Sequence, residues 1–185
     1  MIVYHGSSCS KLKRLEYSEE TSRFGGEMNL VHGAGIYLTV SKEEALAYAT
    51  ASLYTIKVSG EIFDATDSEI LSSFVASLFN SWNVDLSHLQ NTSIQSLIKQ
   101  TCQGKISGVG FPKSLFIVIS NEISLYGEII QDKFNDDLDA LENSIKEAFS
   151  YPLVKIHHQG NNTDWIICLD HDGRGIEIVE EEIID

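Results

Sequence analysis

Between Gly33 and Tyr48 the chain reads GAGIYLTVSKEEALAY, and no other stretch limits the fold as tightly. Gly33 and Gly35 allow positive φ and close backbone approach, which suits a tight entry into a strand or a bound ligand. Ile36-Tyr37-Leu38-Thr39-Val40 is β-branched and aromatic, the composition of a strand. Ser41 followed three residues later by Glu44 has the spacing of a capping box, which predicts a helix from Lys42. On that helix Ala45, Tyr48 and Ala49 share a face. The small Ala45 leaves room for a flat ring beside Tyr48, so Tyr37 and Tyr48 are expected to face one another across a slot.

At 185 residues one domain is expected, spanning 1–185, with enough chain to bury a core. The net charge of −14 argues against general nucleic-acid binding, which needs a basic surface. It fits a solvated acidic exterior that can attract basic partners. Cys9, Cys102 and Cys168 are odd in number and far apart, without a CxxC pair, which sets aside a disulfide framework or a zinc site and points to a reducing cytosol. No basic leader and no long apolar run indicates export or a membrane span.

Along the chain, Met1 to His5 reads as a strand ending at Gly6, which places the His5 ring where a sheet can aim it. Residues 9–32 are polar and hold Lys11, Lys13, Arg14 and Arg23, counter-charge for a phosphate-bearing ligand, with Arg23 the foremost candidate. Leu53 to Val58 is a strand, turned at Ser59-Gly60 and continued by Ile62-Phe63. From Asp67 the period changes. Ile70, Leu71, Phe74, Val75, Leu78 and Phe79 recur as on a helix capped by Asp67 or Ser68. Ile94, Leu97, Ile98 and Cys102 mark another helix, ending near Gly104, and Leu138 to Phe149 a third, capped near Asp136. Ser114 to Ile130 is so uniformly apolar that periodicity leaves strand and helix both open. The carboxyl end returns to strands: Leu153 to His157 and Asp164 to Leu169 flank a turn at Gln159 to Asn162, and Ile176 to Val179 follows the turn DHDGRG. Glu180 to Glu182 is expected to be solvated. The reading is an α+β chain with a helical insertion at about 67–150.

Several chemistries are excluded by what is missing. There is no GxSxG elbow and no GxxxxGK[ST] loop, and Gly33-x-Gly35 precedes a strand, so it is not a dinucleotide fingerprint. Asp170-x-Asp172-Gly173 lacks the remaining ligands of a calcium loop. His157 and His158 point to opposite faces of a strand, poor geometry for a shared metal.

Taken as a set, His5-Gly6-Ser7, Gly33-x-Gly35-Ile36-Tyr37, Tyr48 eleven positions later and an acid late in the chain resemble the H-Y-E group of ADP-ribosyltransferases, which includes diphtheria-toxin-like and poly(ADP-ribose) polymerase-like enzymes. Arg23 to Gly26 (RFGG) and Tyr54 to Val58 (YTIKV) also resemble small phage anti-CRISPR ADP-ribosyltransferases. The resemblance covers about residues 1–65 and 150–180. It implies a split β-sandwich and NAD as the ADP-ribose donor. His5 would bond a ribose hydroxyl and the Gly6 backbone the nicotinamide amide, with Ser7 supporting the strand end and Gly35 the turn. Tyr37 and Tyr48 would sandwich the nicotinamide. The serine that contacts the carboxamide in some members is Ala45 here. The late glutamate is matched by Asp164 in TDWIICLD, one methylene shorter, with Glu177 as the fallback acid. The implied activity is mono-ADP-ribosylation of a protein target inside a bacterial host cell, with no metal. A catalytically inactive acidic binding protein on the same fold, and an NAD glycohydrolase, are the alternatives.

Overall fold

The computed structural model describes residues 1–17, 35–160, 162–170 and 172–184. Arg23, Gly33 and the RFGG stretch lie outside them. Two compact units emerge where one domain is expected: Met1–Asp64 with Tyr151–Asp185, and Ala65–Ser150. Together they make an α+β protein, strands in the first unit and mostly helices in the second.

The first unit is a seven-stranded sheet. Its strands are β1 (Ile2–Ser7), β2 (Ile36–Thr39), β3 (Ser52–Val58), β4 (Ile62–Asp64), β5 (Leu153–His158), β6 (Thr163–Cys168) and β7 (Ile176–Ile183), in the order β4-β5-β6-β2-β1-β3-β7. All the pairings are antiparallel except β4 with β5. β1 and β2 meet at one register position, Tyr4 opposite Thr39, whereas β1 and β3 pair over six. The sheet is therefore two ladders joined by a narrow seam. Ile62-Phe63 does not extend β3; it crosses to the far edge and pairs with Leu153-Val154 of β5.

Residues directly opposed across a ladder share a face. One face holds the core: Val3, Ile36, Leu38, Tyr54, Ile56, Leu153, Ile166 and Cys168 are buried together, with Leu12, Leu15 and Tyr17 packed on them. The other face carries Tyr37 and Thr39 opposite Ile167 and Trp165. The helix α1 (Lys42–Tyr48) packs on that face. Its start is as the sequence predicts, with Ser41 Oγ accepting from the Glu44 N–H at 3.2 Å.

The β7 strand runs on to Ile183, through residues expected to be solvated. Glu181 Oε1 accepts from Tyr54 Oη (2.9 Å), Ser52 Oγ (2.7 Å) and the Lys11 N–H (2.7 Å). Those donors hold its carboxyl below the usual glutamate range, the backbone bond from Lys11 most of all.

The second unit contains α2 (Ser68–Ser81), a 3₁₀ turn (Leu86–Gln90), α3 (Thr92–Cys102), α4 (Phe111–Asn121), α5 (Ile123–Phe134) and α6 (Leu138–Ala148). Asp67 caps α2 and Asp137 caps α6, each side chain accepting from the first-turn amides. α3 ends just before Gly104, at φ +69°. The uniformly apolar stretch resolves into two helices. Pro112 at the start of α4 suits a helix N-terminus, and Leu115 and Ile119, then Tyr126 and Ile130, are buried at helical spacing. Among the described residues no helix is long and apolar enough to cross a membrane.

Candidate functional site

Gly6 sets the approach of α1 to the sheet. A Cβ there would stand 2.1 Å from the Ala45 carbonyl oxygen and 2.7 Å from the Ala49 nitrogen, so only glycine lets the helix backbone lie on β1. Ser7 then closes the strand: its carbonyl accepts from Thr50 (3.1 Å) and Ala51 (3.0 Å) beyond the helix, and its hydroxyl from the Cys9 N–H (3.0 Å). The result is a fixed position for Tyr48. Gly35 has a similar packing reason, since a Cβ would lie 2.6 Å from the Ile167 side chain and 2.7 Å from the Cys168 carbonyl of β6.

His5 sits at the seam. Its Nδ1 lies 2.9 Å from the Tyr37 carbonyl oxygen, and a carbonyl only accepts, so Nδ1 carries the proton. Burial lowers the His5 pKa below the ordinary histidine value, partly opposed by that hydrogen bond. The ring is therefore neutral at pH 7, with Nε2 left as an acceptor. Burial, followed by the neighbouring Tyr17, raises the Tyr37 phenol well above its ordinary value, so that phenol stays protonated.

The structure brings Tyr37 and Tyr48 to one indole. Their ring centroids lie 5.9 and 6.0 Å from that of Trp165, at interplanar angles of 83° and 90°, both edge-to-face. His158 stacks on Trp165 at 4.1 Å and 5°. The Trp165 Nε1–H donates to Glu44 Oε1 at 2.8 Å. Thr163 Oγ1 lies 3.1 and 2.9 Å from the two Glu44 oxygens, and Thr39 Oγ1 donates to Oε2 at 2.5 Å. The capping-box spacing is thus half used: Ser41 caps Glu44, while the Glu44 carboxylate turns to the sheet.

Asp164 is placed differently from what the family pattern leads one to expect. Strand alternation puts it on the face opposite Trp165. Its oxygens lie 3.1 Å from Lys155 Nζ and 3.1 Å from His157 Nδ1, and Lys155 also bonds Asp64 at 3.0 Å. Burial lowers the Lys155 pKa, but its two carboxylate partners outweigh that and leave it raised, so the cation persists. The fallback acid, Glu177, is exposed on the edge strand β7 opposite Lys57, three strands from β2. Neither acid is brought to the tyrosines.

The structure therefore brings the Tyr37 and Tyr48 rings together on Trp165, with Gly6 under α1 and the His5 ring against the Tyr37 backbone, while the register sets His5 on the face of Tyr54; Glu44, Trp165, Thr163 and His158, to which the sequence reading gave no part in the site, join the tyrosine face. The available signal was parity: Trp165 and Thr163 alternate with Asp164, so an aromatic partner for Tyr37 and an acid at 164 cannot share a face of a regular strand.

No protein-family model matches this chain, and no curated protein matches it. Among solved structures, a "Crystal structure of an anti-CRISPR protein" is similar over 97% of this chain and 95% of that one, with a TM-score of 0.39 and 16% identity.

Proposed function

We propose that the protein binds NAD at the β1–β2 seam and acts as a mono-ADP-ribosyltransferase on a protein target. The observation that supports this most is the convergence of the Tyr37 and Tyr48 rings on one indole, with the His5 imidazole held as a neutral acceptor against the Tyr37 backbone carbonyl. A neutral Nε2 suits a ribose hydroxyl, which donates to it. The electron-rich faces of tyrosine suit a cationic pyridinium, as in other cation–π contacts. The narrow seam between the two ladders is in keeping with a split-sandwich fold of ADP-ribosyltransferase type. When the glycosidic bond breaks, nicotinamide leaves with the bonding electrons and positive charge develops on the ribose, which a nearby carboxylate stabilises.

Calorimetric titration with NAD tests the reading. Each stacked ring contributes roughly 0.5–1.5 kcal/mol, so Tyr37→Ala and Tyr48→Ala are each expected to weaken NAD binding by roughly two- to tenfold. Incubation with labelled NAD and a bacterial lysate is expected to label a discrete protein; free ADP-ribose alone would identify a glycohydrolase instead. Absence of NAD binding at millimolar concentration overturns the proposal.

The Asp164–Lys155 ion pair favours a second reading, a non-catalytic acidic binding protein. Capture of a basic protein that survives both Tyr48→Ala and Asp164→Ala, with no NAD turnover, would establish it.

A further inference from the structure

We propose that the groove between α3 and α4 docks an amphipathic helix of a second protein, one whose apolar stripe is flanked by acidic residues. The proposal concerns the helical unit alone and does not rest on the NAD reading. The groove has a volume of about 490 Å³. Leu97 of α3, Ile106 of the connection, and Ile117 and Val118 of α4 give it apolar surface, between the hydroxyls of Ser96 and Ser114. Ile117 is 44% exposed. At one end of the groove Ser93 of α3 bonds Glu122, the residue before α5. The start of α5 therefore adjoins that end, and it carries Ile123, 66% exposed. Apolar side chains left open along a groove between two helices are the receiving surface for a third helix, which lays in residues at i, i+3, i+4 and i+7.

Charge selects the occupant. Lys99 precedes Gln100, Lys105 precedes Ile106 and Lys113 precedes Ser114, so each is next in sequence to a residue that lines the groove. Lys99 also follows Ser96 by three positions on α3, and Lys113 precedes Ile117 by four on α4, spacings that set both on the flanks of the lining faces. All three lysines are exposed. Among the described residues none of the three forms an ion pair. This basic rim stands in a chain of 27 acidic and 13 basic residues. Glu122, at the opposite end, has its carboxylate engaged by Asn91 and Ser93. The rim thus repels a basic segment and attracts an acidic one. A nucleic acid would meet the lysines with phosphate but leave Ile117 without an apolar partner. A helix with leucines along one stripe and carboxylates beside it satisfies both.

The test selects binders to the full chain from a displayed library of helical peptides, in which the positions beside a fixed leucine stripe vary between acidic, neutral and basic. Acidic peptides are expected to be enriched, and a synthetic copy of the strongest to lose affinity as sodium chloride is added. Ile117→Ser is expected to weaken that peptide roughly tenfold. The triple reversal Lys99→Glu, Lys105→Glu and Lys113→Glu is expected to weaken it by roughly 3- to 100-fold, and the same selection on that variant to favour basic peptides. No enrichment, enrichment of neutral or basic peptides by the unaltered chain, or a peptide indifferent to both variants overturns the proposal. Tighter binding to phosphatidylglycerol vesicles than to any peptide also overturns it, in favour of a membrane contact. A dimer in sedimentation that Ile117→Ser dissolves overturns it in favour of a second copy of the chain. If Ile117→Ser fails to fold, the lysine variant, which alters only exposed side chains, decides the matter.

Discussion

His5 takes its meaning from the contact its ring makes. For His5 the partner is a carbonyl, and the consequence is a titration. Its pKa is lowered by burial, and so is that of His158, where burial again leads. For both groups the folded state prefers the neutral ring and binds fewer protons than the unfolded chain. Their stabilisation is complete above the unfolded value of about 6.5 and declines as pH falls below it. Chemical denaturation from pH 7.5 to 5 is expected to show this loss, and His5→Gln to diminish it. Gly6→Ala is the sharpest steric probe. With a Cβ 2.1 Å from the Ala45 oxygen, α1 must lift from the sheet, and a destabilisation of about 1–3 kcal/mol is expected by thermal melting. The start of α1 at Ser41 was legible because its spacing is local. Glu44 was not: the sequence shows its distance from Ser41, but which donors its carboxylate meets depends on the register of β2 against β6.

Helices announced by 3.6-residue spacing and an acidic cap were recovered close to their ends. The Asp67 cap of α2 is one case. The paired helices α4 and α5 were ambiguous because exposed apolar residues such as Ile117, Ile123 and Leu125 mask the buried face. The position of β4 was hidden for another reason. A three-residue strand says nothing of which edge it joins, and proximity to β3 in sequence misled. Ser41 offers a test of α1 as a unit. Ser41→Ala removes the side-chain N-cap of a seven-residue helix and is expected to cost about 1 kcal/mol in denaturant unfolding. Since the same helix carries Glu44 and Tyr48, NAD affinity is expected to weaken with it.

Across the whole chain the balance of charge is −14, and self-repulsion opposes compaction. Raising ionic strength from about 0.01 to 0.15 M shortens the screening length from roughly 30 to 8 Å. The melting temperature is therefore expected to rise with added sodium chloride, an outcome opposite to that of a fold held mainly by surface ion pairs. The division into a sheet unit and a helical unit was partly visible, as a change of period at Asp67 and a return to strands after position 150. That the last strand extends through its glutamates was not visible, because the donors to Glu181 come from Lys11, Ser52 and Tyr54. Glu182 adds a tie to Lys42 on α1. The tail thus works as a drawstring: cutting it back past position 181 would loosen the loop behind the first strand and slacken the helix bearing Tyr48, far from the cut in sequence.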